Sequence, residues 1–177
     1  MKHITIKDDK SGMEKLTSEL KKLRGARLIV GVIGDEEVDD GFSLVDLATV
    51  QEYGVKIQVT PAMRNWFLAV GYPLKADTTE IEIPERSFIR TTADEKRDEI
   101  VKQGKRLLRK VALGKMDAKR AMDKLGNLVV SMIQKKIDEI EKPPKTQMTI
   151  DLSVTGGTSP LQDTGRLWQS IDYEVRW

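Results

Sequence analysis

The residues with the most capacity for chemistry in this 177-residue chain are carboxylates, and they gather early. Asp35, Glu37, Asp39 and Asp46 stand near positions one, three, five and twelve of a calcium-binding loop. The match then fails. Gly41 comes one residue later than the sharp turn of such a loop requires, Asp46 is shorter than the usual bidentate glutamate, and no long helix leads in. A solvated acidic loop following a buried strand is the expected reading. His3 is the only histidine and stands at the start of the chain, so it is assigned no role. There is no cysteine, which excludes disulfides, thiolate catalysis and a Cys-built zinc site. GxSxG, P-loop and GxGxxG motifs are missing, and Gly156-Gly157 in TGGTSP lacks the lysine and helix that phosphate binding needs. With no nucleophile, base, metal cluster or cofactor motif to name, the chain reads as non-enzymatic, with no cofactor expected.

A basic cluster makes the stronger claim. Lys102, Lys105, Arg106, Arg109 and Lys110 fall within about two and a half helical turns, enough to track a phosphate backbone if they share a face. They do not share one face cleanly, and they follow Asp94, Glu95, Asp98 and Glu99. The spacings from Asp98 and from Glu99 to Lys102 suit charge pairing along one solvated helix. A water-facing or subunit-facing surface is therefore preferred to a DNA-facing one. Overall the chain carries 30 Lys plus Arg against 28 Asp plus Glu, or +2, which by itself selects neither nucleic acid nor membrane. Residues 86–136 hold 15 basic and 6 acidic side chains, a net +9, leaving 15 and 22, a net −7, elsewhere. The chain is thus electrically polarised.

Aromatic residues make up 5% of the chain, yet Trp168, Tyr173 and Trp177 fall in the last ten positions. Either they anchor a protein interface or they pack a final strand against the core. Trp66, Phe67 and Tyr72 pose the same question in the middle.

The elements that must position these groups follow from periodicity. HITI at 3–6 suits a short strand, and Ser11 caps a helix to about Leu23 with Met13, Leu16 and Leu20 on one face. ARLIVGVIG, 26–34, reads as a central strand covered on both sides. Ser43 to Tyr53 is helical, with Leu44, Leu47, Ala48 and Val50 as its stripe and Gly54 as its stop. VKIQV suits a strand, 61–70 a helical turn, and TTEIEI an edge strand. A long charged helix is expected from near Thr92 to Gly114, and an amphipathic one from Asp117 to Glu141 with Met122, Leu125, Val129, Met132, Ile133, Ile137 and Ile140 inward. Pro143-Pro144 ends it, and TQMTIDLSVTGGTSP is expected to be extended. Asp163 or Thr164 then caps one turn, and the last strand alternates Ile171, Tyr173, Val175 and Trp177 on one face. The expected fold is α+β: a small antiparallel or mixed sheet packed by two long amphipathic helices, with a C-terminal strand, in one domain spanning 1–177. No run of 18 apolar residues and no apolar leader occurs, so neither a membrane span nor secretion is expected.

Three phrases in order, LATVQEYGV (47–55), IPERSFIR (83–90) and PLQDTGRLWQSIDYEV (160–175), resemble the tailed-bacteriophage virion-morphogenesis proteins, the group of tail-completion and head-tail joining (neck) proteins. The family pattern A-x-x-Q-E-[FY]-G is matched by Ala48, Gln51, Glu52, Tyr53 and Gly54. I-P-x-R-P-F is matched by Ile83, Pro84, Arg86 and Phe88, with Ser87 where proline is common. L-x-D-T-G-x-L-x-x-S-I is matched by Leu161, Asp163, Thr164, Gly165, Leu167, Ser170 and Ile171. These positions read as architectural, with Glu52 and Arg86 as a candidate pair. The resemblance implies a structural subunit of the virion, made in the host cytoplasm. It would assemble as a six-fold or twelve-fold ring at the head-tail junction or tail top, through which DNA passes without sequence specificity. Other connector, stopper, tail-tube or terminator proteins would be its neighbours. Residues 55–83 are then a docking insertion and 143–177 an assembly segment, with Trp168, Ile171, Tyr173, Val175 and Trp177 as the candidate interface. The alternative is a DNA-binding accessory protein using the helix around 102–110.

Overall fold

The computed structural model describes residues 11–34, 37–39 and 42–177. His3, the expected strand at 3–6, and Asp35 and Gly41 of the acidic loop lie outside the described residues. The described chain is α+β, and its sheets are three separate antiparallel pairs.

Helix α1 (Ser11–Gly25) ends beside β1 (Arg27–Val32). The expected stripe on α1 is rotated: Met13 and Leu20 are exposed, while Leu16, Glu19 and Leu23 turn inward. Glu19 explains the rotation, because its carboxylate accepts the N–H of Ala118 at 2.7 Å, at the start of α5 (Ala118–Glu139). Strand β1 pairs with β6 (Ile171–Arg176) from Arg27↔Arg176 to Val32↔Ile171. It is not the central, doubly covered strand that its apolar run implies. Among the described residues it has one strand neighbour; Leu28, Val30 and Val32 turn inward with Ile171, Tyr173 and Val175, while Ile29 and Ile33 remain exposed. On the second face a Cβ at Gly31 would lie 3.8 Å from Ile89 Cδ1 of the same chain, so that face is partly covered beside the exposed Ile29 and Ile33.

A small ribbon, β2 (Glu37–Asp39) with β3 (Phe42–Ser43), leads into α2 (Leu44–Tyr53). Asp46 serves that helix: its carboxylate accepts from Ser43 N at 3.1 Å and Ser43 Oγ at 2.8 Å, while Asp46 N donates back to Ser43 Oγ at 3.1 Å. This is a reciprocal cap, and it occupies the carboxylate that a calcium loop would need at its last position.

Residues 55–83 form a unit of their own. Strand β4 (Val55–Gln58) pairs with β5 (Glu80–Ile83), and α3 (Pro61–Ala69), capped by Thr60, lies between them in sequence. Phe67 is buried and Trp66 meets it edge-on at 5.0 Å, leaving Trp66 exposed.

Two long antiparallel-connected helices follow, α4 (Ile89–Ala112) and α5. Helix α5 lies between α4 and the β1–β6 pair. Its buried stripe includes Ala118, Ala121, Gly126, Ile133 and Ile137. Gly126 is there because of Tyr173: a Cβ at Gly126 would lie 2.4 Å from two ring carbons of that tyrosine. After α5 the segment expected to be extended contains a short helix, α6 (Gln147–Asp151), because Thr146 Oγ1 accepts from Thr149 N at 3.3 Å. One turn, α7 (Arg166–Gln169), then precedes β6.

Replacing Gly126 by alanine sets a helix-propensity gain of up to about 1 kcal/mol against a collision with the stem of an aromatic ring. The collision is expected to win: Gly126→Ala should lower the urea midpoint, with a net loss of about 1–2 kcal/mol. An unchanged midpoint would mean that β6 and α5 are not held at this spacing.

Candidate functional site

The three sequence phrases meet in space, and Glu52 is where the first grips the second. It is the penultimate residue of α2 and only 3% exposed. Its Oε2 accepts the backbone N–H groups of Phe88 at 2.8 Å and Ile89 at 2.9 Å. Its Oε1 accepts from Ser87 Oγ at 2.6 Å, Arg90 N at 2.9 Å and Arg90 Nε at 3.2 Å. These groups form the N-terminal end of α4, where backbone donors lack intrahelical acceptors and the helix dipole is positive. Phe88 stands at the N-cap position without a side-chain bond, and the only local help among the described residues is Ser87 Oγ, which accepts from Thr91 N at 3.4 Å. A carboxylate 36 residues away does the capping. That is why α4 begins at Ile89, earlier than the start near Thr92 implied by its polar residues.

The charge pairing differs from the expected one. Glu52 pairs with Arg90, not Arg86. Arg90 also donates to Glu52 O at 2.7 Å and Glu85 Oε1 at 2.6 Å, and its guanidinium lies 4.4 Å from the centre of the Tyr53 ring. Arg86 is buried and acts as a clamp. Its Nε donates to Pro143 O at 2.8 Å, Nη2 to Pro144 O at 3.1 Å and Nη1 to Gln51 Oε1 at 3.0 Å, while its backbone N donates to Gln51 O at 2.7 Å. Five guanidinium donors can serve several carbonyls at once, so a salt bridge is not required. Burial lowers the Arg86 pKa from its usual high value. Gly54 has φ +66°, and a Cβ there would lie 2.8 Å from Glu85 N and 2.9 Å from Ile83 O; the two phrases touch backbone to backbone. Pro84 follows directly on the last residue of β5 and leads into this clasp.

Phe88 carries the contact to the third phrase. It is fully buried in a core cluster with Ala48, Ile133, Ile137, Leu161, Leu167 and Ile171. Asp163 does not cap α7. It accepts from Ser153 Oγ at 2.6 Å and Thr155 Oγ1 at 2.8 Å, and these bonds lower its pKa. Gly165, with φ +76°, holds the N-cap position without a side-chain bond, while Thr164 Oγ1, one residue before it, accepts from Arg166 N at 3.5 Å. Lys145 donates to Gly157 O at 3.0 Å and Gln162 O at 3.1 Å, fastening the same loop. A hollow of about 450 Å³ between α2 and this loop is lined by Leu47, Val154, Pro160, Leu161 and Leu167 among others. Asp163 and Lys145 border it with their polar groups already engaged by the loop.

The tail residues divide. Ile171, Tyr173 and Val175 turn toward α5 in their own chain, whereas Trp168 is 36% and Trp177 55% exposed. In the basic cluster, Lys102, Lys105, Arg106 and Arg109 are all exposed and Lys110 is half-buried. On a helix the first four project within an arc of about 100° while Lys110 turns off it, so four of the five share a face and the full cluster does not. The expected pairing of Asp98 or Glu99 with Lys102 does not form among the described residues; α4 is tied to α5 instead by Glu95 and Lys136 at 2.8 Å. No three His, Asp or Glu side chains converge to hold a metal among the described residues, and no described helix is long and apolar enough to cross a membrane.

Sequence reasoning missed Ser87, Arg90 and Lys145. Ser87 carried a signal as the one departure from the family phrase: its hydroxyl supplies a hydrogen bond that proline cannot make. Arg90 and Lys145 are fixed by contacts across 38 and 12 to 17 residues, which no local pattern encodes. The chain matches no family model, no curated protein and no solved structure.

Burial pushes the Glu52 carboxyl upward, but bonds from Ser87 Oγ and from the Ile89, Arg90 and Phe88 N–H groups outweigh it, so its pKa lies below the ordinary value. The stabilisation is therefore complete above the unfolded value, about 4.3, and is lost as pH falls through the lower folded one. Glu52→Ala should cost about 3 kcal/mol in urea unfolding at neutral pH, because several donors lose their acceptor together. Glu52→Gln should lose less at neutral pH and show a shallower decline on acidification. Equal acid sensitivity in wild type and Glu52→Gln would remove this carboxylate from the acid response.

Proposed function

We propose that this chain is a non-enzymatic structural subunit of a tailed-bacteriophage virion, a tail-completion or head-tail connector protein that forms a ring around the DNA channel. One observation carries the reading. The phrases that resemble the family are joined in one clasp: Glu52 of the first caps the helix begun by the second, and Phe88 of the second is buried among Leu161, Leu167 and Ile171 of the third. Chance matches scattered through a sequence would have no reason to share an architectural role. Other features suit an assembling subunit. Strand β1 keeps an apolar outer face, Trp168 and Trp177 stay exposed, and 55–83 forms a compact strand-helix-strand unit suited to docking. A ring needs two different surfaces on each subunit, and the uneven charge along the chain helps to match them.

DNA binding through α4 is the second reading, favoured by the exposed arc of Lys102, Lys105, Arg106 and Arg109. Asp94 and Asp98 project from the same face and would repel a phosphate backbone, so the ring reading is preferred.

The purified chain should give a light-scattering mass that rises with concentration toward six or twelve subunits, and electron microscopy should find rings. Antibody against the chain should label the head-tail junction or tail top of intact particles. A persistent monomer absent from virions, with duplex affinity that falls steeply as salt rises, would replace this reading with the second.

A further inference from the structure

The outer face of α4 is sorted by charge in a way that neither solubility nor DNA binding requires. Its N-terminal half exposes Asp94, Glu95, Asp98 and Glu99; its C-terminal half exposes Lys102, Lys105, Arg106 and Arg109. Residues 94, 98, 101, 105, 108 and 112 step by four and three, so they form one seam along the helix. On that seam Val101 is 46% and Leu108 48% exposed. Lys96 and Arg97 interrupt the acidic half in sequence: Lys96 projects about 160° away from Asp98, whereas Arg97 projects about 100° from Asp98 and about 40° from Val101, so one cation borders the acidic half of the seam.

Among the described residues, Asp94, Asp98, Glu99, Lys102, Lys105, Arg106 and Arg109 form no ion pair or side-chain hydrogen bond. Glu95 alone of the eight is engaged, with Lys136. Intrahelical neighbours of opposite sign stand at suitable spacing and remain apart. The block arrangement has one further property. Turning α4 end for end about the midpoint between Val101 and Lys102 places Asp94 on Arg109 and Asp98 on Lys105, with Val101 beside the axis. Acidic and basic halves exchange places.

We propose that α4 is the contact of a two-fold dimer, in which the outer faces of two copies of α4 pack antiparallel. The partner is a second copy of this chain, selected by self-complementary charge. Asp94 and Asp98 of each copy meet Arg109 and Lys105 of the other, and Val101 and Leu108 supply an apolar strip along one side of these charges. The contact spans about 22 Å of helix between Asp94 and Arg109. A parallel arrangement would set like charges together over that whole length, so charge fixes the orientation. The acidic half also explains why this surface prefers a second copy to DNA. This contact is isologous and stands independently of ring formation, which is heterologous.

The test is charge exchange, read by sedimentation velocity across concentration and salt. Wild type should dimerise at low salt and dissociate as salt screens the charges. Asp94→Lys with Asp98→Lys makes the four contact positions 94, 98, 105 and 109 all basic, and Lys105→Asp with Arg109→Asp makes the same four all acidic. Each double variant should bind itself at least about tenfold more weakly than wild type, since opposed attractions become repulsions. Mixing the two should restore a dimer containing one of each. All four side chains are exposed and unpaired, so circular dichroism and the unfolding midpoint should stay near wild type. If rings form, the α4 contact should appear as a doubling of ring mass that each double variant abolishes while single rings persist. Wild type without a dimer or doubled ring at any concentration, reversal variants that associate like wild type, or a mixture that fails to recover would each overturn the proposal.

Discussion

The arrangement of this protein depends on one buried carboxylate that accepts the first N–H groups of a helix begun by apolar residues. Helix α4 opens at Phe88 and Ile89, residues that offer no side-chain acceptor for the first N–H groups. Glu52 supplies the acceptor from α2. Local capping fixes only where a helix starts, whereas capping from another element also fixes what the helix starts against. Through Glu52, α2 and α4 are registered to within a hydrogen bond. The neighbouring contacts are consequences of that closeness: Gly54 has no room for a side chain, Arg90 reaches back over Tyr53, and Arg86 is driven inward toward Pro143 and Pro144. The cost of burying Glu52 is met because its oxygens are surrounded by donors, three of them backbone groups held in place by the helix itself.

The clasp sets the core and the core sets the sheet. Phe88 is delivered between α5 and the third phrase, so its position decides where Leu161, Leu167 and Ile171 gather. Strand β6 then begins from a buried anchor, Ile171, and runs along β1 with Tyr173 lying over Gly126. A two-stranded pair has little stability alone, and here it rests on α5 along one face. The apolar side of the final strand is therefore used inside its own chain. The terminal aromatics separate for a geometric reason: Tyr173 lies where the helix is notched, whereas Trp177 extends past the last ladder residue.

What was legible in the sequence was what short-range physics controls. The α+β class, the two long helices, the helix starts at Ser43 and near Asp117 and the alternation of β6 follow from periodicities and side-chain chemistry within a few residues. Apart from α6, which Thr146 caps from three residues away, the misread features depend on distant partners. The start of α4 was set too late because its cap lies in another element. Asp163 has the right type and place for an N-cap, yet Ser153 and Thr155 claim its carboxylate. The run Leu28 to Val32 has the composition of a doubly covered strand, but composition cannot count the strands available to pair with it. In the clasp, Glu52, Gly54, Arg86 and Phe88 were marked by the phrases, while the identity of the ion pair was not. Arg86 and Arg90 are both within reach along the sequence, and only the fold decides which guanidinium faces the carboxylate.

Charge order along α4 bears on assembly in a way that net charge does not. Eight alternating charges and eight charges in two blocks give the same net charge and similar solvation, and they differ mainly toward a partner whose charges run in the opposite direction. Alternation also favours pairs within the helix, which would leave little for a neighbour. The block order leaves those charges unused in the subunit and makes the surface complementary to itself only when reversed. A subunit with both heterologous ring contacts and this isologous contact has dihedral symmetry open to it, two rings meeting through their α4 faces. Exposed ion pairs are individually weak and screened by salt, so such a pairing would give way to a neighbour offering a larger apolar contact. A self-contact of that kind occupies an assembly surface while the subunit is alone and releases it when a better-matched partner arrives.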